Sequence, residues 1–330
     1  MPLFRPLITA FRRRRIYRRA MGGPVRAVIL RYHSVGEPRA VAEYLDPGLS
    51  LPPEDFRRQL QLLAARFDVL SLDDLLARVR EPRPGRFAIS LTFDDGYRDN
   101  HDVVMPLLRD FGMTGTFYIA TEALTSGRGL WISELWRLVP RLPDGSLDWP
   151  DPAPNRVPSH HDPSARADFR RRSTSWLASL SATAREQALD HLAARAGVPR
   201  GDGLANSFLT PELVRAMRRA GMAIGAHTQS HPHLDLSAPA SHDAEVSGSK
   251  RDLESILGES VPHFAYPNPG GSGLAGDTAR AAVARAGFAT AVTSQSGALS
   301  PTPDLLRLPR LGVYAGPQQR TLFSVLRTLR

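Results

Sequence analysis

The chain has 330 residues, 42% of them apolar and 23% charged, which is ample for a packed core and excludes a disordered polymer. Its net charge of +9 is nearly all arginine, since Lys250 is the only lysine, so the basic balance reflects an Arg- and Ala-rich composition as much as a partner. There is no cysteine, which excludes disulfides and thiolate chemistry, and no run reaches the roughly 18–20 apolar residues of a membrane span.

Residues 1–23 read as a basic arm. The stretch FRRRRIYRR places Arg12, Arg13, Arg14, Arg15, Arg18 and Arg19 together with no acid among them. Two readings stay open: a solvated terminal arm, or a patch drawn to anionic lipid headgroups at up to about 1 kcal/mol per basic residue. Nucleic acid is not expected, because no interleaved stacking aromatics accompany the patch. Arginines interrupt any leader-like apolar stretch, so the expected location is the cytoplasm, with peripheral contact at the inner membrane surface.

From residue 24 to 330 the chain reads as one domain. VRAVILRYHSVG (25–36) predicts a buried strand, and residues 52–67 a helix with Phe56, Leu60, Leu63 and Phe67 on one face. A short strand and a helix follow in DVLSLDDLLARV. FAISLTFDDG (87–96) is a continuous apolar strand, NHDVVMPLLRDFG a helix ending at Gly112, and TGTFYIA (114–120) another strand. The rhythm resumes with helix 210–221, strand 222–228, helix 242–258, strand 262–267, helix 277–287 and strands 288–293 and 305–313.

Buried strands alternating with amphipathic helices imply a parallel sheet, and seven or eight such units favour a (β/α) barrel. The interruption at about 121–206 holds WISELWRL, a Pro-rich stretch and a helix over 183–197. It reads as an insertion on the active face, a lid or substrate platform.

The motifs fall at strand C-terminal ends, where such folds carry chemistry. Asp94 and Asp95 are adjacent in TFDDGY, and like charges so close disfavour joint ionisation unless a cation is near. GAHTQSHPHL brings His227 and His231, four residues apart, to a strand end and turn. Two imidazoles and one carboxylate form a standard divalent-metal set with open positions, and the remaining aspartate can take the proton of an attacking water.

TFDDGY and HTQSHP, in this order, resemble the polysaccharide deacetylases of the NodB-homology type, carbohydrate esterase family 4. The resemblance spans about 25–123 and 209–313. It implies a distorted (β/α) barrel, a divalent metal (usually zinc) and hydrolysis of the acetamide of N-acetylated sugars. It assigns Asp94 as general base and Asp95, His227 and His231 as metal ligands. FAYPNPGG (264–271) matches the family's third motif in part: Ala265 stands where an arginine is usual, as in a FAYP subgroup, and the N–H of Asn268 would stabilise the oxyanion.

The last strand, LRLPRLGV, lacks the histidine that serves many members as general acid. His33 in RYHSVG resembles the early Tyr-His of the poly-N-acetylglucosamine deacetylase branch and is expected to protonate the leaving amine. Arg310 pairs with Asp94, replacing the missing arginine, or contacts substrate, or is an ordinary barrel-edge residue. Trp131 and Trp136 would stack on sugar rings if they are not packing residues. His101, His160, His161, His191, His233, His242 and His263 carry no partner pattern and are expected to be surface or incidental residues. Asp99 and Asn100 are expected to hydrogen-bond within the turn. Rival readings are hydrolysis of a cyclic ureide on the same site, and a non-catalytic glycan-binding barrel.

Overall fold

The computed structural model describes residues 27–81, 85–147, 149, 154–267, 275–316, 322, 323 and 326. The basic arm and Asn268 lie outside the described residues.

Eight strands form one parallel sheet: β1 (Ala27–Tyr32), β2 (Asp68–Val69), β3 (Ala88–Phe93), β4 (Thr116–Ile119), β5 (Ala223–Ala226), β6 (His263–Ala265), β7 (Thr290–Val292) and β8 (Leu311–Gly312). The order is β7-β6-β5-β4-β3-β1-β8, with β2 beside the start of β3. A bridge from Val292 to Leu308 carries the β7 edge to the segment entering β8, while Leu311 pairs with Leu30 of β1. The sheet thus curls into the distorted (β/α) barrel expected of this fold. The final strand is far shorter than the predicted 305–313. Before Leu311 the segment has turned to serve the seam, with Arg310 N–H donating to the Gln295 carbonyl.

The helices used below are α1 (Pro53–Arg66), α2 (Leu72–Arg80), α3 (Met105–Asp110), α4 (Trp131–Leu138), α5 (Pro163–Ala178), α6 (Ala182–Ala196), α7 (Pro211–Arg219), α8 (Pro239–Leu257) and α9 (Asp277–Arg285). In α1, Pro53 opens the helix and Glu54 and Asp55 complement the N-terminal dipole. Phe56, Leu60 and Leu63 turn one stripe inward.

Alternation along the strands divides two apolar regions. Val28, Leu30 and Tyr32 of β1, with Ile89, Leu91 and Phe93 of β3, face the helices and join Phe56, Phe117 and Phe264 in the main core. Ala27, Ile29, Ala88, Tyr118, Ala265 and Val292 face the lumen. The lumen is tightly filled: a Cβ on Gly225 would lie 2.5 Å from the Tyr118 ring. Continuing the lumen parity past the strand ends aims Arg31, His33 and Asp94 into the mouth of the barrel.

The insertion carries a core of its own. Phe169 and Leu177 of α5 pack with Leu189 and Leu192 of α6 and Leu135 of α4, and the rings of Trp149 and Trp176 lie 4.5 Å apart. α5 contributes Ala167, Arg170, Arg171, Thr174 and Ser175 to the cleft above the barrel mouth, so the insertion covers the active face as expected.

Candidate active site

A cleft of about 650 Å³ opens between the barrel mouth and the insertion, and His33, Asp94, Asp95, His227 and His231 all line it. Asp94 and Asp95 follow β3 directly, and His227 follows β5. The Asp95 Oδ1 atom lies 3.4 Å from His227 Nε2 and 3.3 Å from His231 Nε2, with all three side chains buried. The three potential ligand atoms lie within 4.8 Å of one another.

The backbone is strained where it presents these groups. Among the described residues, the non-glycine residues with positive φ are Asp95 (80°), Thr228 (65°) and His231 (56°). Each such residue costs on the order of 1–3 kcal/mol and persists only if its surroundings fix it. Gly96, also left-handed at 80°, completes the turn after Asp95 where a side chain would press on Ile119. The 228–231 loop is held from several sides. Thr228 Oγ1 accepts from His231 N at 3.1 Å. The Glu245 carboxylate accepts from the Gln229 and Ser230 N–H groups at 3.0 and 2.9 Å and from Ser230 Oγ at 2.6 Å. Trp131 Nε1 donates to the His231 carbonyl at 2.9 Å. Trp131 is therefore a buried packing residue and offers no face to a sugar.

Arg310 pairs with Asp94. Its Nη1 and Nη2 donate to the two carboxylate oxygens at 2.6 and 2.7 Å, while Nε donates to the Thr293 carbonyl and Nη1 also to Thr92 Oγ1. An arginine from the last strand segment thus stands where Ala265 supplies none. Burial raises the Asp94 carboxyl, but the Arg310 charge, with His227 nearby, brings it below its ordinary value. Burial likewise works against ionised Asp95, and the bonds to His227 and His231 outweigh it, so Asp95 falls well below the usual carboxylate range.

The donor set fits a divalent ion. His227 Nδ1 bonds the Ala265 carbonyl at 2.8 Å, which fixes the ring and turns Nε2 toward Asp95 and His231. One carboxylate and two imidazole nitrogens converge, buried, with the cleft open on the remaining side.

His33 also faces the cleft. Burial pushes its imidazole down to about 4, so it is neutral at pH 7. Asp99 and Asn100 hold its segment rather than bonding only within their own turn. Asn100 Nδ2 donates to the His33 carbonyl at 2.9 Å, and Ser34 Oγ donates to Asp99 at 2.5 Å. Of the histidines expected to be surface or incidental residues, three are buried. His263 sits at the start of β6, bonded to Thr290 Oγ1 at 2.9 Å, and His233 and His242 are enclosed where α8 packs on the barrel. Strand and helix position turns His263 and His242 inward, and none of the three joins the cleft.

A family model described as polysaccharide deacetylase matches residues 81–151 and 169–291. The chain belongs to that family. Its members are hydrolases of the amide bond in N-acetyl sugars, and the break in the match falls in the insertion. Over 295 residues the chain is 19% identical to YxkH of Bacillus subtilis (strain 168), named as a polysaccharide deacetylase, covering 89% of this chain and 73% of that protein. Two solved structures share the fold. The Streptococcus pyogenes deacetylase PplD, in complex with acetate, matches with a TM-score of 0.58 at 21% identity, covering 92% of this chain and 98% of that one. IcaB from Ammonifex degensii matches with a TM-score of 0.55 at 14% identity, covering 91% and 96%.

The motif reading missed Arg31, Tyr44, Arg170, Ser294 and Tyr314, which line the same cleft as the family residues. Arg31 was within reach of simple strand alternation, being two residues before His33 on one face. The others come from segments with no motif of their own.

Proposed function

We propose that this chain is a divalent-metal-dependent N-deacetylase that hydrolyses the acetamide of an N-acetylated saccharide, glycan or lipid-linked, and releases acetate. The observation that carries the reading is the buried Asp95–His227–His231 cluster beside a second carboxylate, Asp94, locked by Arg310. PplD, of the same fold, holds acetate, the product such a site would release.

Asp95, His227 and His231 would hold the ion, most simply Zn²⁺. Once bound, it would polarise the acetamide carbonyl and lower the pKa of water. Asp94, ionised and held by Arg310, takes the proton of the attacking water. Its orientation is fixed by two hydrogen bonds, so no reorientation precedes the transfer. The Asn268 N–H supports the developing oxyanion. His33 delivers a proton to the departing amine. Because its ring is neutral at rest, that proton must reach it during turnover. The insertion covers the cleft and positions the sugar, with Trp136 the remaining aromatic candidate, one face of its ring being taken by Arg170. The proposal takes the cytoplasmic side of a membrane as the place of work, supported by the six arginines of the arm.

Acetate release tests this. Purified protein, zinc-loaded or stripped by chelator, is incubated with N-acetylglucosamine oligomers and with lipid-linked N-acetyl sugars. The expected result is release by the loaded protein, lost on stripping and restored by metal. No release from any acetamido sugar, with turnover of a cyclic ureide instead, would overturn the reading.

A further inference from the structure

The charged groups of the cleft are matched in number but not pair by pair. Arg31, Arg170 and Arg171 line it, against Asp46, Asp94 and Asp95. Asp94 is committed to Arg310, Asp95 faces two imidazoles, and Arg171 pairs with Asp168 at 2.5 Å. Asp46 is exposed and caps its own turn by accepting from Gly48 N at 2.8 Å. Among the described residues, Arg31 has no carboxylate partner, whereas Arg170 feels the charge of Asp46. Outside the described residues the acidic side chains are Asp148 and Asp151, both in the insertion.

Arg31 is the telling group. It is only 8% exposed, yet its guanidinium donates to neutral oxygens alone, Ser294 Oγ and Tyr314 OH, and its Nε has no partner among the described residues. A buried cation without a counter-ion is costly, and a cation kept that way at the wall of a binding cleft is matched by an anion on the ligand. The planar guanidinium fork suits carboxylate and phosphate oxygens. Arg31 projects from the same face of β1 as His33, two residues and roughly 6–7 Å away, so the anion belongs on the reacting sugar or its neighbour. From the insertion side, Arg170 lies over Trp136, its guanidinium carbon 3.4 Å from a ring centroid, and adds a second cation, faced by the exposed Asp46, to the same cleft.

We infer that the substrate is an anionic glycan, bearing a carboxylate or phosphate that Arg31 binds while Ser294 and Tyr314 hold the guanidinium in place. The inference rests on the deacetylase reading for which sugar sits beside Asp94, and its test is read by affinity rather than turnover.

Zinc-loaded protein is titrated calorimetrically with three probes. These are neutral N-acetylglucosamine trimer, the N-acetylglucosamine–N-acetylmuramic acid disaccharide with its lactyl carboxylate, and the methyl phosphodiester of N-acetylglucosamine 1-phosphate. At low salt at least one anionic probe is expected to bind tenfold or more tighter than the trimer, with the margin shrinking at high salt. The probe that gains identifies the anion. Arg31→Gln should weaken the anionic probe about 10–100-fold, well beyond any loss on the trimer. Arg170→Gln, on the insertion and away from the barrel seam, should act in the same direction with a smaller margin, so the test survives if Arg31→Gln misfolds. The inference is overturned if neither anionic probe outbinds the trimer, or if the variants weaken all probes equally. Absence of acetate release with this affinity ranking intact would sink the deacetylase reading alone.

Discussion

Arg310 and Asp94 meet through two parallel hydrogen bonds of 2.6 and 2.7 Å, with the guanidinium also over the Tyr118 ring at 5.6 Å and both charged side chains buried. Removing one partner of such a pair strands the other charge, which costs about 3–5 kcal/mol. Arg310→Met should therefore lower unfolding stability by about that amount in urea melts. Arg310→Lys keeps the charge but loses the fork, and should retain more stability than Arg310→Met while still lowering kcat. An unchanged urea midpoint for Arg310→Met would show the pair to be idle.

Asp94→Asn isolates the proton-accepting role. Proton-transfer groups contribute typically about 10²–10⁴-fold, so kcat for acetate release should fall by that factor while KM moves little. Near-full turnover by the variant would remove Asp94 from the chemistry.

Metal binding can be read without turnover. Competition with a chromophoric chelator should give one zinc per chain, lost in Asp95→Ala and in His227→Ala. Trp131→Phe deletes the donor to the His231 carbonyl while keeping an aromatic ring in place. Loss of such an outer support should weaken zinc about 10–100-fold. Equal zinc affinity in Trp131→Phe would mean the loop is fixed by Glu245 alone.

Asp99 predicts a pH dependence of stability. Burial raises its carboxyl from 3.8 to about 6, against the hydrogen bonds from Ser34, Val35 and Asn100. The folded state thus binds the proton more tightly than the unfolded one. The associated stability is full below pH about 4, declines as pH rises toward about 6, and is gone above that. Asp99→Asn removes this decline, so its stability relative to wild type should improve by up to about 3 kcal/mol between pH 4 and pH 7. Thermal melts across that range check it, and parallel curves for the two proteins would contradict the assignment.

Local features of this chain were legible before any fold was known. The apolar runs of β1 and β3 announce buried strands, and Phe56, Leu60 and Leu63 announce the inner stripe of α1, because periodicity is a property of neighbours along the chain. TFDDGY and HTQSHP could be read because each packs its polar groups into a few consecutive residues. Their left-handed turns were not visible, since Asp95, Thr228 and His231 adopt them only under the restraint of Glu245, Trp131 and β4.

Tertiary structure decided the rest. Arg310 reaches Asp94 across 216 residues, and Arg31 reaches Ser294 and Tyr314 across 263 and 283, because the sheet curls until its last segment lies beside its first strand. Packing of the insertion against the 228–231 loop turned Trp131 from a sugar platform into a support, and strand pairing buried His263 against Thr290. Which side chains share a cleft is set by strand register and by how far the sheet curves. Those follow from packing over the whole molecule, and no short stretch of sequence carries them.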